Sequence, residues 1–275
     1  MGQANYDPAG KILPATLPDG LLATLTAELD GPDVIGVALG GSFARGAATA
    51  FSDVDLAPFY RADTAMPPKR LFWRNGWLVS VSPKTISGWR EQMARPQWAI
   101  HLVPSAAQMR ILRDSDGALA ALVAEAQAFQ WDPLRPAADA FASNALMLFA
   151  EDALKLLGAL VREDEAAMLY PLGELLYDMP WILATQRGVL IETQETYIRQ
   201  VQAAAGPESA WSHAHLTALG MRRESLRERV VAALRLYAET ARLITDTLQP
   251  EHRAVVDVTV ERITRAGSGI DDSIG

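Results

Sequence analysis

Two aspartates that follow a glycine turn are the residues of this chain best suited to chemistry. Asp53 and Asp55 lie two residues apart at the start of an apolar run, residues 54–59, shortly after the Gly-Gly-Ser turn of residues 40–42. Because residues two apart in a strand point to the same side, both carboxylates face one spot. Two carboxylates so close repel each other unless a cation lies between them. Oxygen ligands of this kind are typical of Mg²⁺, which takes its remaining ligands from water and substrate phosphates.

The turn before these aspartates is suited to phosphate. It follows an apolar strand, residues 34–39, and its two glycines let backbone N–H groups approach phosphate oxygens closely. Ser42 also suits the N-cap of a short helix, and the N-terminus of a helix attracts anions. The turn and the aspartates together therefore predict a magnesium–nucleotide site.

The composition limits the class of protein. With 275 residues the chain can form one large domain or two of ordinary size, and its 49% apolar and 21% charged residues are typical of a globular protein. The absence of cysteine excludes disulfides, thiolate catalysis and cysteine-ligated metals. The net charge of −8 argues against a nucleic-acid partner, and the apolar runs are too short for a membrane partner. Because the N-terminus carries neither a signal-sequence pattern nor a myristoylation pattern, we expect a cytoplasmic protein.

The first half of the chain mixes strand and helix patterns. Asn75-Gly76 between two apolar runs predicts a β-hairpin, because both residues tolerate positive φ. Ser82, followed by proline, predicts the start of a helix. A second Asp-x-Asp, at Asp114 and Asp116, precedes a helical pattern and is interpreted as a loop residue followed by a helix N-cap.

The second half of the chain has a helical pattern almost throughout. The predicted helices cover residues 136–162, 166–187, 195–205, 211–219 and 222–248. An α+β half followed by an all-helical half is therefore expected. We place the first domain at residues 1–132, the helical domain at residues 133–265, and a disordered tail at residues 266–275.

The central motif resembles that of nucleotidyltransferases. Residues 41–46 (Gly-Ser-Phe-Ala-Arg-Gly) followed by residues 52–56 (Ser-Asp-Val-Asp-Leu) resemble the superfamily that includes DNA polymerase β. The likeness is strongest to its antibiotic-modifying branch, such as kanamycin nucleotidyltransferase. The resemblance implies a polymerase-β-like core, a mixed sheet with helices, followed by an all-helical C-terminal domain that binds substrate. It also implies transfer of a nucleoside monophosphate from a nucleoside triphosphate, with ATP expected first, to a hydroxyl of a small molecule.

The resemblance assigns roles to the residues of the motif. Asp53 and Asp55 would act in catalysis by binding Mg²⁺ at the triphosphate, as the two aspartates do in that family. The candidates for nucleotide binding lie in and after the turn, and they are Gly41, Ser42, Arg45 and Ser52. The first two would contact phosphate oxygens and the arginine would add positive charge, whereas a turn role is the simpler interpretation of the last serine.

The family also has a third carboxylate, on the second arm of the hairpin, where this chain has Ser80. Three interpretations are open. Another acid, Glu151 or Asp152 on the first long helix of the second half, acts as the catalytic base, since kanamycin-type enzymes take a base from their helical domain. Glu151 also has the i,i+4 spacing of a surface ion pair with Lys155. Alternatively, the site works with two aspartates and one metal ion, or the domain binds nucleotide without turnover.

The expected acceptor is a small cationic molecule such as an aminoglycoside, because the resemblance and the acidic composition agree. Glu174 and Asp178 are like charges four residues apart on a predicted helix, and a cationic ligand would stabilise them. One alternative is transfer to a macromolecule, a protein or a tRNA, as in some toxin–antitoxin pairs. Another is a nucleotide-sensing module without catalysis. Because kanamycin-type enzymes often form dimers, a homodimer is an open alternative to a monomer.

Overall fold

The structure of the chain, a computed structural model, describes residues 15–62 and 64–271. The predictions for the extreme N-terminus, and those for residues 272–275 of the tail, concern residues outside these ranges. Within the described residues, no helix combines the length and the apolar character needed to cross a membrane.

The described chain divides into two compact units. The first comprises the residues up to Ala94 together with His101–Gln130, and the second comprises Arg95–Ile100 together with the residues from Trp131 on. The main division therefore lies two residues before the predicted boundary after residue 132. The short second-unit segment within the first half was not predicted.

The first unit is built around a mixed sheet of six strands. The strands are β1 (Val34–Leu39), β2 (Val54–Tyr60), β3 (Arg70–Arg74), β4 (Trp77–Val81), β5 (Lys84–Thr85) and β6 (Arg110–Asp114). Five of them lie in the order β3-β4-β2-β1-β6, and β5 pairs with β2. Strand β2 runs parallel to β4 and β5, whereas the other pairs are antiparallel. Asp55 thus lies on a strand in the middle of the sheet, and Asp53 directly precedes that strand.

The described residues of the first half also contain five helices. They are α1 (Leu21–Leu29), α2 (Gly41–Ala44), α3 (Ile86–Met93), α4 (Pro96–Ala107) and α5 (Ala118–Gln127). Helix α4 begins in the short second-unit segment and ends in the first unit. The short α2 follows β1 directly, as the sequence predicted.

One face of the sheet is apolar and packs on α1. Val54 and Leu56 of β2 and Val79 and Val81 of β4 are buried in a cluster with leucines of α1. Because side chains alternate along a strand, the residues between them point to the opposite face. This alternation directs Asp55 away from the apolar core, to the face on which the chemistry is expected.

The hairpin prediction is confirmed, whereas the predicted helix start after it is wrong. Asn75 and Gly76 have φ values of 51° and 82°, the conformation that a two-residue hairpin turn needs. The helix predicted to begin at Ser82 begins at Ile86 instead. The reason is that the residues before it extend the sheet alongside β2, and the Thr85 side chain then accepts the capping hydrogen bond from the Gly88 N–H.

The second unit is helical. Its helices are α6 (Arg135–Leu148), α7 (Ala150–Val161), α8 (Glu165–Arg187), α9 (Tyr197–Ala205), α10 (Ala210–Leu219), α11 (Leu226–Leu243) and α12 (Pro250–Asp271). Its core contains a fully buried Trp211, whose indole N–H donates to Thr240 at 2.9 Å, and a fully buried Tyr237, whose hydroxyl donates to the Leu146 carbonyl at 3.2 Å. A mixed sheet with helices followed by a helical region confirms the predicted α+β class.

Two details of the helical half differ from the sequence patterns. The helix predicted over residues 136–162 is two helices that meet at Phe149, where ψ is −3°, away from the usual α-helical value. Helix α12 continues through Asp271, so it includes residues 266–271, which the sequence assigned to the tail. The two glycines in that stretch weaken a helix by only about 1 kcal/mol each, which does not by itself end it.

Candidate active site

The turn after β1 is shaped by its two glycines. Gly40 is extended, and its N–H donates to the backbone carbonyl of Asp55 at 2.8 Å, which joins the turn to β2. Gly41 has a φ of +62°, a conformation that side chains rarely adopt. A Cβ atom at position 41 would also overlap the carboxylate of Asp55. Glycine is therefore required there both by the backbone and by the neighbouring acid.

The two aspartates lie close enough to interact electrostatically. Burial raises the pKa of Asp55, and the negative charge of Asp53 raises it further. A hydrogen bond from Ser80 and the positive charges of Lys69 and Arg45 oppose this rise in the pKa. The carboxylate of Asp55 is thus a partly buried anion beside a second anion, the setting in which a bound cation is most stabilising.

The position of the expected third acid adjoins this pair. Ser80 is the register partner of Asp55 on the neighbouring parallel strand β4, and only 2% of Ser80 is exposed. Its hydroxyl lies near enough to the Asp55 carboxylate to lower the pKa of that acid. Ser80 thus stands beside Asp55, as its register partner, at the position where the family has its third acid.

The other nucleotide-binding candidates differ in their surroundings. Ser42 lies in α2, and its carbonyl accepts a hydrogen bond from Ala47 at 2.9 Å. Arg45 lies at the end of α2, near enough to Asp55 to affect its pKa. Ser52 accepts a hydrogen bond from the Thr49 N–H at 2.9 Å through its hydroxyl oxygen, which is the turn role. Lys69 is a further cation near the acids, and sequence reasoning missed it because it lies in an irregular loop.

The donor set suits a magnesium ion better than a metal that needs a full protein shell. In the parts of the chain that the structure describes, no group of three or more His, Asp or Glu is arranged to hold a metal. Mg²⁺ is commonly bound by one or two carboxylates and completes its shell with water and substrate phosphates. Asp53 and Asp55 supply the two carboxylates that this mode of binding needs.

The two candidate bases lie in the second unit, at the start of α7. Glu151 is bonded to Lys155 at 2.8 Å, and this partner lowers the pKa of Glu151. The Asp152 carboxylate is 3.6 Å from the Lys155 ammonium, and only 19% of its side chain is exposed, against 74% for Glu151. The surface ion pair foreseen for Glu151 is therefore present, and the environment of Asp152 is the more enclosed one.

Asp152, Glu174 and Asp178 form an acidic cluster within the helical unit, in the sense that their charges interact. Burial and the charges of Glu174 and Asp152 raise the pKa of Asp178 to about 6. Two tyrosines are affected by these acids: Glu174 raises the pKa of Tyr170, and burial and the charge of Asp178 raise the pKa of Tyr197. The spacing of Glu174 and Asp178 was visible in the sequence, whereas their proximity to Asp152 was not. Repulsion among these acids would be relieved by a cation.

A separate cavity lies between α10 and α11. Its volume is about 530 Å³, and His213, Arg227 and Arg235 are among its lining residues. None of the predicted site residues lines it. The predicted residues thus fall into two groups, the turn and aspartates of the first unit and the acids of the second.

Similarity to known proteins agrees with the geometry of the turn and the aspartates. Residues 22–90 match the family model described as the nucleotidyltransferase domain. The first unit therefore contains a region similar to nucleotidyltransferase domains. The matched range includes the glycine turn, Asp53, Asp55 and Ser80, so the superfamily expected from the motif is confirmed.

A solved structure supports the nucleotidyltransferase fold. A nucleotidyltransferase-like protein from Exiguobacterium sibiricum is similar to this chain with a TM-score of 0.51 at 14% sequence identity. The similarity covers 82% of this chain and 73% of that protein, so it includes helical as well as sheet regions. No curated protein matches the sequence. Together, the matched domain and the shared fold support the interpretation of this chain as a nucleotidyltransferase.

Proposed function

We propose that this protein is a magnesium-dependent enzyme that transfers a nucleoside monophosphate from ATP to a hydroxyl of a small cationic molecule. The observation that carries the proposal is the placement of Asp53 and Asp55 beside the glycine turn of the nucleotidyltransferase domain. A glycine turn suits phosphate oxygens, and paired carboxylates suit the metal that accompanies a triphosphate.

The proposed reaction is an in-line displacement at the α-phosphorus. The oxygen of the acceptor hydroxyl forms a bond to this phosphorus, the bond from the phosphorus to the bridging oxygen of the β-phosphate breaks, and pyrophosphate leaves. The hydroxyl proton passes to a carboxylate. Mg²⁺ held by Asp53 and Asp55 would supply charge neutralisation at the triphosphate. Arg45 and Lys69, whose charges act on Asp55, add positive potential at the same end of the site.

We propose Asp152 as the proton acceptor rather than Glu151. A base is effective when it is not neutralised by a tight ion pair. Glu151 is exposed and bonded to Lys155 at 2.8 Å, which lowers its pKa. The Asp152 carboxylate lies farther from the same ammonium, at 3.6 Å, and only 19% of its side chain is exposed.

The acidic cluster of the helical unit is the reason for proposing a cationic acceptor. Asp152, Glu174 and Asp178 place three acids near one another, with Lys155 as a cation on the adjoining turn. Ammonium groups of an aminoglycoside would pair with such carboxylates, and the exposed ring of Tyr170 offers an aromatic face beside them. The net charge of −8 favours the approach of a cation over that of a nucleic acid.

The proposal is tested with the purified protein, Mg²⁺, each of the four common nucleoside triphosphates and a panel of aminoglycosides. We expect a product heavier by one nucleotidyl group in mass spectrometry and release of pyrophosphate, both abolished by Asp53→Asn. The control is Asp116→Asn, in the second Asp-x-Asp, whose carboxylate accepts only a local hydrogen bond from Ala118. Turnover that survives Asp53→Asn would contradict the mechanism.

A second candidate is a nucleotide-sensing module, and Ser80 in place of an acid is the observation that favours it. Such a module would bind ATP and Mg²⁺ in calorimetry without forming product with any acceptor. Nucleotidyl transfer to a protein or tRNA but not to small molecules would instead indicate a macromolecular acceptor. The cytoplasmic location and the oligomeric state remain predictions, the latter measurable by light scattering.

A further inference from the structure

Ser80, which stands where the family has its third acid, lies in a buried position within the sheet. It lies within β4 between two paired strands, with Asp55 as its register partner on one side and Leu71 on the other. It is buried, with 2% of its surface exposed. A buried hydroxyl needs a hydrogen-bond partner, and the acid beside Ser80 on the neighbouring strand is Asp55, whose pKa Ser80 lowers.

The carboxylate of Asp55 is confined from a second direction by the turn. It lies against Gly41, where a Cβ atom would overlap it, and the backbone of the same residue is bonded to Gly40. The neighbouring Ser80 and the close contact with the glycine turn therefore limit the positions that this carboxylate can adopt. A metal ligand held in this way needs little rearrangement when a cation binds.

The charge at this site also limits how many cations it can hold. A serine contributes a donor and no negative charge, so the site has two carboxylates, and no third His, Asp or Glu joins them among the described residues. A second divalent cation would need further anionic protein ligands, because Mg²⁺ binds weakly to a hydroxyl that is already donating to an acid.

We propose that Ser80 is a positioning residue that holds Asp55 in place, and that this domain binds one divalent cation with its triphosphate instead of two. The inference deepens the proposed function and rests on it. It predicts that a carboxylate at position 80 would recruit a second cation, and that removal of the hydroxyl would weaken binding of the first.

The number of bound cations tests the proposal directly. Mn²⁺ is titrated into the purified full chain and followed by electron paramagnetic resonance, with and without a non-hydrolysable ATP analogue, whose own affinity is measured by calorimetry. We expect one Mn²⁺ per chain in the wild type with the analogue. We expect Ser80→Ala to bind one Mn²⁺ about tenfold more weakly, the scale of losing a hydrogen bond to a charged group.

Two further variants sharpen the result. Ser80→Asp is expected to bind two Mn²⁺ with the analogue, with the spectral broadening of a coupled pair. Ser82→Ala removes a hydroxyl two residues away and should leave the Mn²⁺ affinity and count unchanged. If Ser80→Asp does not fold, as a thermal unfolding scan would reveal, the wild-type count and the Ser80→Ala affinity still decide the matter.

The outcomes separate this inference from the proposed function. Two Mn²⁺ bound by the wild type, or an unchanged affinity in Ser80→Ala, would overturn the inference while nucleotide binding stands. One Mn²⁺ bound in a Ser80-dependent manner without any affinity for the analogue would support the role of Ser80 and overturn the proposed function. A wild-type chain that binds neither Mn²⁺ nor the analogue would overturn both.

Discussion

The carboxylate of Asp55 lies in the space where any side chain at Gly41 would begin. This contact joins the glycine turn to the strand that carries the acids, and it adds to the strain of a positive φ at position 41. Glycine is therefore required at position 41 for two reasons, the positive φ of the backbone and the space taken by the Asp55 carboxylate. Substitution of Gly41 and of a control glycine can separate the two effects.

Gly41→Ala is expected to lose both stability and cation binding. Gly46 has a similar positive φ of +69°, but no heavy atom lies within 4 Å of the place a Cβ would take, so Gly46→Ala is the matched control. Both variants should be destabilised by about 1 kcal/mol through backbone strain, measured by urea unfolding. Only Gly41→Ala should also lose Mn²⁺ affinity, since its methyl group displaces the Asp55 carboxylate. Equal Mn²⁺ affinity in the two variants would contradict the role given to this contact.

Neutralising either aspartate should abolish turnover while the fold is retained. We expect Asp53→Asn and Asp55→Asn each to lower kcat by about 10³-fold, the scale of losing a principal electrostatic contact. Thermal unfolding of Asp55→Asn should occur at a higher temperature than in the wild type at neutral pH, because burial and Asp53 disfavour its ionised form. A kcat within a factor of about ten of the wild-type value would argue against metal binding by this pair.

The two candidate bases should differ in their effect on the rate. Asp152→Asn is expected to lower kcat by about 10²-fold or more, the range of general-base catalysis, with a smaller change in KM. Glu151→Gln should leave kcat near the wild-type value, because that carboxylate is exposed and paired with Lys155. The comparison uses initial rates of pyrophosphate release. A larger loss of kcat in Glu151→Gln than in Asp152→Asn would assign the base to Glu151.

Asp178 should make the protein less stable as the pH rises. Its pKa is raised from the ordinary value of 3.8 to about 6, so between about pH 4 and pH 6 the folded chain holds more protons than the unfolded chain. The free energy of unfolding contributed by this group therefore falls across that window and stays low above it. Asp178→Asn should remove the decline and stabilise the protein at pH 7 by about 1 kcal/mol, less than the full shift implies because the half-buried group is screened by water.

The measurement for Asp178 is urea unfolding of the wild type and Asp178→Asn from pH 3.5 to 8. Glu151→Gln is the control, because the pKa of Glu151 is lowered rather than raised and its removal should give no gain in stability at pH 7. Parallel pH profiles for the wild type and Asp178→Asn would show that the carboxyl has an ordinary pKa.

Local patterns in the sequence were sufficient for the strand, turn and strand that carry Gly41, Asp53 and Asp55. Alternation of apolar residues, positive-φ glycines and the Asn75-Gly76 turn are short-range features, and each acts within a few residues of itself. The capping box of Ser225 and Glu228, which begins α11, is also a short-range feature. The broader helical pattern over residues 222–248 did not resolve it.

Tertiary packing determines which groups meet across long stretches of chain and how deeply each is buried. The proximity of Ser80 to Asp55 depends on the register of two parallel strands, and the pKa of Asp178 depends on an acid contributed by a different helix. Likewise, the helix predicted at Ser82 was displaced because its first residues gained partners in the sheet. Sequence alone indicated the glycine turn, the paired aspartates and the α+β layout, because these follow from residue spacing and local periodicity; the nucleotidyl-transfer chemistry was implied by resemblance to a known family. The pKa shifts of Asp55 and Asp178 followed from tertiary packing, because desolvation and neighbouring charges act through space.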